Sequence, residues 1–482
     1  MLKNVLLTAV GLALIGLARL AFNTVALNAF DETLAGQLNV ALSLSVLLSL
    51  PASTAFGATT VRFMAQARGQ GRPGAAAWIY RTTLAATIIV ATAGTVAALG
   101  ARSWLSHLQG VDEALVFQAV ELSVAYVSYL FFRNVLYALD RVKLYTYLEV
   151  GTGTVFFVTL SSLALLGRGH TLLTAFLASW VAFSVAGLWL TRAQWTTPCP
   201  PEERTGWRPL ASYSLLALVG TASSLCVREL AVFFAPAVAD LGGAAHLALS
   251  MSLLAPLQFF PRMLRTALFA HSAELDGRGQ QAALAGSLGA ASHWLLLATV
   301  PACAVLALGA APILTALGGT ATPERLLVFR LLTAAALVDV VATPASNALP
   351  GVGNVKAPAY AALGALVLTI AAWWRLTPIL GFTGLAVGML LNSVVKGAVP
   401  IYAARVTLGA RLTHAPGRVG LLGLGALGGL ALLAVWPQPL VVTPAYALAA
   451  ALVLWRPGAQ LWRELRGRMT RLRAPRAPAA AP

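Results

Sequence analysis

The chain has 482 residues, of which 59% are hydrophobic and only 10% are charged. So few charged side chains cannot cover the surface of a soluble protein of this length, so the composition predicts a polytopic membrane protein. The formal net charge of +17 could suit a nucleic-acid-binding protein, but the basic residues are spread over separate loops, and we expect no nucleic-acid partner.

Apolar segments of about 20 residues, the length needed to cross a bilayer, recur along the whole chain. The first begins like a signal peptide, but it has no convincing cleavage site and is too long, so we interpret it as a retained first helix. Fourteen segments qualify: 4–28, 34–60, 82–100, 114–138, 145–167, 170–191, 209–236, 243–268, 284–310, 325–347, 356–378, 382–404, 417–435 and 439–456. The sequence therefore predicts an all-α polytopic membrane protein with about 14 transmembrane helices.

The basic residues indicate the orientation of these helices. Of the 33 Lys and Arg residues, 26 lie on or near the face that carries both termini, whereas the opposite loops include the acidic stretches FDET and AVADLGG. Cytoplasmic loops of membrane proteins carry such an excess of Lys and Arg. We therefore predict a multi-pass protein of the inner (cytoplasmic) cell membrane, with its N- and C-termini in the cytoplasm and a basic cytoplasmic tail at 457–482.

Short recurrences indicate that the chain is built from two repeats. ALSLSVLL at 41–48 recurs as ALSMSLLA at 248–255, and six residues of RNVLYALDRVKLYTYLEVG recur 213 positions later in SNALPGVGNVKAPAYAALG. The alternative is a compositional coincidence among similar helices. The repeat predicts an N-lobe of helices 1–6 and a C-lobe of helices 7–12, followed by two extra C-terminal helices; the ranges are 1–200, 205–406 and 407–456.

Two arginines occur at matching depths of the two predicted repeats. Arg19 lies past the middle of the first helix, and Arg228 lies 209 residues later in the seventh. Ionisable residues inside a membrane are costly and usually face a bundle interior or a hydrated cavity. A guanidinium fork suits phosphate, so we predict that both arginines bind an anionic substrate. The alternative is a purely structural ion pair, such as Arg19 with Asp339, or Arg228 with a carboxylate.

Other charged residues lie within or near the apolar spans. Lys396 and Arg133 are further candidates for substrate binding, although each is near enough to a helix end to reach water. The carboxylates Asp339, Glu229 and Glu121 are candidates for ion coupling or gating. We expect Glu149 to lie at the inner face, in contact with solvent.

Recognisable catalytic motifs are missing from the sequence. It contains no phosphate-binding P-loop, no zinc-protease motif and no nucleophile elbow, and its three cysteines have no ligand at metal-binding spacing. We therefore predict a protein that is not an enzyme and has no cofactor or metal site.

Two pairs of stretches carry a family resemblance over nearly the whole chain. They are LKNVLLTAVGLALIGLARLAF with AGQLNVALSLSVLLSLPASTAFGATTVRFMAQARGQG, and ASYSLLALVGTASSLCVRELAVFF with GGAAHLALSMSLLAPLQFFPRMLRTALFAHSAELDGRG. This pattern resembles the multidrug/oligosaccharidyl-lipid/polysaccharide (MOP) exporter superfamily, and within it the polysaccharide-biosynthesis (O-antigen-type) flippases.

The resemblance implies two lobes in a V shape and alternating access. It implies that a lipid-diphosphate-linked oligosaccharide, an anionic partner, moves from the inner to the outer leaflet for cell-surface polysaccharide biosynthesis. A glycan polymerase or glycosyltransferases are possible partners, and Arg19 matches a first-helix arginine that such flippases place in their cavity. Three alternatives stay open: a multidrug or cation antiporter of the same fold, a flippase for a lipid-linked peptidoglycan precursor, and a membrane-embedded scaffold or glycan-assembly partner without transport.

Overall fold

A computed structural model gives the architecture of the protein. It describes residues 2–258, 261, 280–352, 354, 356–408, 442–448 and 450, and the side chains of residues 2–10, 12, 281, 350 and 351 are not described. The predicted thirteenth span, most of the fourteenth and the basic tail at 457–482 lie outside the described residues.

Long α-helices make up almost all of the described chain, in which no strand occurs. In chain order they are α1 (Leu2–Ala29), α2 (Glu32–Gly69), α3 (Pro73–Gly100), α4 (Arg102–Gln109), α5 (Glu113–Ala138), α6 (Val142–Leu165), α7 (Thr174–Leu190), α8 (Ala193–Thr196), α9 (Trp207–Val238), α10 (Leu241–Leu254), α11 (Gln281–Leu308), α12 (Ala310–Ala316), α13 (Pro323–Gly351), α14 (Lys356–Leu380) and α15 (Phe382–Leu408). The all-α fold class predicted from the composition is confirmed.

Ten helical segments within the described residues are long and apolar enough to cross a membrane. They coincide with predicted spans two to seven and nine to twelve. The first predicted span lies on α1, and the eighth begins on α10 and runs into undescribed residues. The chain is thus a multi-span membrane protein, while the total of fourteen helices stays a prediction. Large apolar side chains such as Leu165 and Trp374 are exposed, as expected for surfaces that face lipid.

The acidic stretches FDET and AVADLGG each contain the residue that begins a helix. The Asp31 side chain accepts a hydrogen bond from the Leu34 backbone N–H at 2.5 Å and so caps α2. The Asp240 side chain accepts from the Gly243 N–H at 2.5 Å and caps α10. An aspartate at this position satisfies a backbone donor that has no partner inside the helix. The same local chemistry therefore starts the second helix of each predicted repeat.

The packing of the helices follows the same pattern in the first and second halves of the chain. In the first half α6 contacts α1 and α7, and α5 contacts α3 and α7. In the second half α14 contacts α9 and α15, and α13 contacts α11 and α15. These are the pairs that a six-helix repeat would generate. The lobe boundaries predicted from the sequence stay a prediction.

The two halves meet chiefly where α2 packs against α9. Ser43 contacts Glu229 near one end of this seam, and Thr59 contacts Ser214 near the other, so the two helices are antiparallel. The intervening stretches each span about 22–24 Å at 1.5 Å per residue, so the helices stay side by side across most of a bilayer core. Phe22 and Leu38 of the first half share one buried apolar cluster with Val232 and Phe329 of the second.

Candidate functional site

An ion pair between the two halves lies at the centre of the candidate site. Arg19 of α1 donates from Nη1 to Oε1 of Glu229 on α9 at 3.1 Å. The other carboxylate oxygen, Oε2, accepts a hydrogen bond from the Ser43 hydroxyl of α2 at 3.0 Å. Glu229 is only 6% exposed, so its charge is stabilised by these two partners rather than by bulk water.

A chain of neutral hydrogen bonds lies in the same region. The Asn39 amide of α2 donates to Oδ1 of Asn23 at 2.7 Å, and the Asn23 amide donates to the Ser252 hydroxyl of α10 at 2.9 Å. The Ser252 hydroxyl in turn donates to the backbone carbonyl of Ala248. All three polar side chains are buried. This chain joins α1 and α2 of the first half to α10 of the second.

These polar groups surround a small cavity with about 10 Å³ of free space, roughly the room for one water molecule. The lining residues are Arg19, Asn23, Asn39, Leu42, Ser43, Arg228, Glu229, Val232, Ala248, Met251 and Ser252. Arg19 and Arg228, predicted from the sequence as a pair, therefore line the same cavity together with Glu229. The two halves are closed around it at this depth.

The sequence offers a signal for the serines that reasoning from charges missed. Ser43 belongs to the ALSLSVLL stretch and Ser252 to its recurrence ALSMSLLA. The recurrence thus includes polar cavity-lining side chains from both halves. Asn23 and Asn39 have no comparable signal, because single asparagines on apolar helices are not distinguished by charge or spacing.

Arg133, predicted to bind substrate, lies on α5 within the first half, among tyrosines rather than at the central cavity. Its guanidinium lies 5.7 Å from the centre of the Tyr129 ring. The Tyr129 hydroxyl donates to Oε1 of Glu149 on α6 at 2.5 Å, and Glu149 is 5% exposed. The expectation that Glu149 contacts solvent is wrong, because its side chain is buried and its carboxylate accepts a hydrogen bond from Tyr129 of α5.

Lys396 and Asp339, two further predicted site residues, pair with each other in the second half. Nζ of Lys396 on α15 lies 3.0 Å from Oδ1 of Asp339 on α13, and each side chain is about one quarter exposed. The hypothetical Arg19–Asp339 pair does not form, because Arg19 contacts Glu229. Glu121 is exposed on α5, on the face that carries exposed Phe117 and Val124, and so lies outside the central cavity.

The end of the molecule that the charge pattern assigns to the outside is closed by an ion pair. Arg325 at the start of α13 contacts both carboxylate oxygens of Glu32 at the start of α2, at 3.0 and 2.9 Å. The backbone carbonyl of Arg325 is 3.3 Å from Nε2 of His246 on α10. Nearby, the backbones of α2 and α10 approach so closely that a Cβ added to Gly36 would overlap the Leu241 carbonyl.

The opposite end of the α2–α9 seam is held by weaker contacts. The hydroxyls of Thr59 and Ser214 lie 2.7 Å apart. The Arg62 guanidinium lies 4.4 Å from the centre of the Tyr213 ring, a cation–π distance. Cross-half contacts therefore occur at three depths, with ion pairs at the outer end and in the middle.

The cavity contains hydrogen-bond donors of the kind that bind an anionic group. Two arginines, two serines, two asparagines and the carboxylate of Glu229 line one cavity between halves that are joined by polar contacts. Among the described residues, no group of three or more His, Cys, Asp or Glu side chains is placed to hold a metal ion. The cysteines Cys199, Cys226 and Cys303 are free thiols.

No family model and no curated protein matches the sequence. Solved structures do match the fold. The lipid II flippase MurJ in an inward closed conformation aligns with a TM-score of 0.67 at 12% identity, over 95% of this chain and 99% of that one. A multidrug resistance MATE family transporter of the MOP superfamily, in an inward-facing conformation, aligns with a TM-score of 0.61 at 16% identity, over 82% of this chain and 98% of that one.

A third structure is a MOP superfamily transporter from Pyrococcus furiosus, for which a reversed polarity of the binding pocket is described. It aligns with a TM-score of 0.63 at 16% identity, over 85% of this chain and 95% of that one. The chain therefore has the fold shared by MATE transporters and MurJ. These similar structures are those of transporters and a flippase rather than enzymes. The narrower resemblance to O-antigen-type flippases stays a prediction.

Proposed function

We propose that this protein is a flippase that moves a lipid-diphosphate-linked oligosaccharide from the inner to the outer leaflet of the cell membrane. The movement occurs by alternating access between two lobes and serves cell-surface polysaccharide biosynthesis. Both termini lie in the cytoplasm, and the substrate is supplied by glycosyltransferases at that face.

The observation that carries the proposal is that Arg19 of α1 and Arg228 of α9 line one cavity between the halves. A guanidinium donates two parallel hydrogen bonds, which matches the oxygens of a phosphate. The neighbouring hydroxyl and amide groups of Ser43, Asn23 and Asn39 suit a polar headgroup.

The cross-half contacts support alternating access. The Glu32–Arg325 pair, the Arg19–Glu229 pair and the Thr59–Ser214 contact join the two halves at successive depths. Each contact consists of polar groups that can exchange protein partners for water or substrate. Rocking of one bundle against another around a central site is an established mode of transport.

Two alternatives have specific support. Similarity over nearly the whole chain to MurJ, a lipid II flippase, supports the alternative of a lipid-linked peptidoglycan precursor as the substrate. Similarity to MATE transporters, together with the intramembrane carboxylates Glu229 and Asp339, supports a multidrug or cation antiporter.

The test is export in cells that depend on this protein. The double variant Arg19→Ala/Arg228→Ala is expected to abolish surface polysaccharide at normal protein level and to cause the lipid-linked intermediate to accumulate on the inner leaflet. Mass spectrometry of that lipid identifies the saccharide and separates an oligosaccharide from a peptidoglycan precursor.

A matched control replaces two arginines that are remote from the cavity. Arg102 begins α4 and Arg168 lies between α6 and α7; both are exposed, and Arg102→Ala/Arg168→Ala should export normally. Normal export by the Arg19/Arg228 variant would contradict the proposal. Loss of drug resistance with unchanged surface glycan would favour the antiporter.

A further inference from the structure

We propose that Glu229 is an internal counter-anion, whose carboxylate occupies the position that the substrate's phosphate takes when it binds. Phosphate binding displaces Glu229 from its donors and thereby breaks an ionic contact between the two halves. The inference rests on the proposed flippase function and deepens it, because it names both the group that is recognised and the contact that recognition breaks.

The first argument is the way in which Glu229 is held. Its two carboxylate oxygens use two separate donors, the Arg19 guanidinium at 3.1 Å and the Ser43 hydroxyl at 3.0 Å. A guanidinium and a hydroxyl that converge on one oxyanion form a donor set that suits a phosphate equally well. Glu229 thus makes with its own protein the contacts that a phosphate ester would make.

The second argument is space and charge. Glu229 is 6% exposed, and the cavity beside it has room for roughly one water molecule. In this closed arrangement a phosphate therefore cannot accept from Nη1 of Arg19 and the Ser43 hydroxyl while the carboxylate stays in place. Two anions in this poorly hydrated site would also repel each other strongly. Binding of the phosphate and retention of the Arg19–Glu229 pair are mutually exclusive.

The third argument is topology. Both donors belong to the first half, on α1 and α2, whereas Glu229 belongs to α9 of the second half. Exchange of Glu229 for a free anion leaves the donors satisfied but removes an ionic contact between the halves. An anion that lacks a covalent link to α9 cannot replace that contact. The anion therefore binds more tightly when α9 is separated from α1 and α2 than when the Arg19–Glu229 pair is formed. This difference in affinity couples anion binding to separation of the halves.

Arg228 explains why a diphosphate would be favoured over a single phosphate. It precedes Glu229 on α9 and lines the same cavity. Once the carboxylate has left, the second phosphate of a diphosphate can contact Arg228 while the first contacts Arg19. A monophosphate uses only one of these guanidinium groups, and the uncharged alcohol uses neither.

The experiment measures binding of farnesyl diphosphate, farnesyl phosphate and farnesol to the full-length protein in lipid nanodiscs. Glu229→Gln keeps the side-chain shape and removes the competing charge, so it is expected to bind farnesyl diphosphate at least tenfold more tightly than the wild type. The gain should be smaller for farnesyl phosphate and absent for farnesol. It should also disappear in Glu229→Gln/Arg19→Gln, because the gain requires Arg19.

Glu149→Gln is the matched control, since it neutralises another buried glutamate that accepts its hydrogen bond from Tyr129. Its affinity for farnesyl diphosphate should equal that of the wild type. Unchanged or weaker binding by Glu229→Gln would overturn the inference, and so would a gain that persists without Arg19.

A second measurement is independent of the folding of Glu229→Gln. Cysteines introduced as Thr59→Cys and Ser214→Cys, in a background without native cysteines, report closure of the α2–α9 seam through disulfide formation. Farnesyl diphosphate is expected to reduce cross-linking with Glu229 present, and Arg19→Gln should abolish that effect. Equal cross-linking with and without the diphosphate would overturn the inference.

The two proposals fail in different ways. If the wild type and Glu229→Gln bind none of the phosphorylated probes, and Arg19→Ala/Arg228→Ala exports normally, the flippase proposal itself is wrong. If the wild type binds farnesyl diphosphate through Arg19 but Glu229→Gln binds it no more tightly, the flippase proposal stands and the counter-anion role of Glu229 is wrong.

Discussion

Glu32 and Arg325 form a bidentate ion pair between the starts of α2 and α13, with nitrogen–oxygen distances of 3.0 and 2.9 Å. The two residues are 293 positions apart in the chain, so the pair joins the first half to the second. The Arg325 and Glu32 side chains are 14% and 33% exposed, so water screens the pair only in part. We predict that this pair acts as a latch that holds the predicted outer end closed.

Removing this latch should favour opening toward the outside. Arg325→Ala should cost the closed state about 1–3 kcal/mol, which shifts the equilibrium between closed and open roughly 5–150-fold. The exchanged variant Glu32→Arg/Arg325→Glu should recover much of the closure, because it restores opposite charges. Electron–electron distance measurements between spin labels on the outer ends of α2 and α13 report the shift. Identical distances in Arg325→Ala and the wild type would contradict the role of a latch.

Replacing Gly36 even by alanine should disturb the contact between α2 and α10. A Cβ at this position overlaps the Leu241 carbonyl, so Gly36→Ala must push α10 away from α2, at an expected cost of about 1–3 kcal/mol to the closed state. Gly153→Ala is the control, because no atom within 4 Å would meet its added Cβ. We expect the labelled outer ends to separate in Gly36→Ala only. Separation in both variants would attribute the effect to helix propensity rather than to the close contact.

The contrast between Arg19 and Arg133 shows how much of the site was predictable. Arg19 is deep in a long apolar helix, and its cost in lipid predicted a functional or paired environment from the sequence alone. Arg133 was predicted to lie near enough to a helix end to reach water, whereas its guanidinium lies beside the Tyr129 ring inside the first half. Charge and depth therefore predicted that Arg19 needs partners. They could not predict which partners, since these come from helices that meet only on folding.

Helix positions were predictable because each apolar run had to exceed about 20 residues to cross a bilayer. The sequence did not predict that Glu229 is the partner of Arg19, because 210 positions separate the two residues and their contact depends on how α1 and α9 pack together. Burial of Glu149 was missed for a related reason: its position near a helix start indicated access to water, whereas the Tyr129 hydroxyl on another helix covers it.

The group formed by Arg133, Tyr129 and Glu149 should stabilise the first half without contacting the substrate. Tyr129→Phe removes the hydroxyl that Glu149 accepts from, and a buried carboxylate that loses a donor should destabilise the fold by about 1–3 kcal/mol. Thermal unfolding of the purified protein in detergent should show the lower midpoint. Farnesyl diphosphate affinity should stay within twofold of the wild type. A large loss of affinity at unchanged thermal stability would instead place this group in the substrate path.

Variants of the Lys396–Asp339 pair can distinguish a purely structural role of this pair from a role in ion-driven drug export. Its partners lie 3.0 Å apart on α15 and α13 and are each about one quarter exposed. Breaking it in Asp339→Asn should cost roughly 1–3 kcal/mol, less than for a fully buried pair, because the remaining lysine keeps some access to water.

The doubly neutral Asp339→Asn/Lys396→Gln should recover stability, because no unpaired charge remains. A structural pair predicts that export of surface glycan recovers with stability in this double variant. If Asp339 instead binds the coupling proton or cation, transport should stay abolished in both variants, because neither has the Asp339 carboxylate. Drug resistance and glycan export, measured beside the unfolding midpoint, distinguish the two. Transport that stays abolished while stability recovers would assign Asp339 to ion coupling and move the balance toward the antiporter.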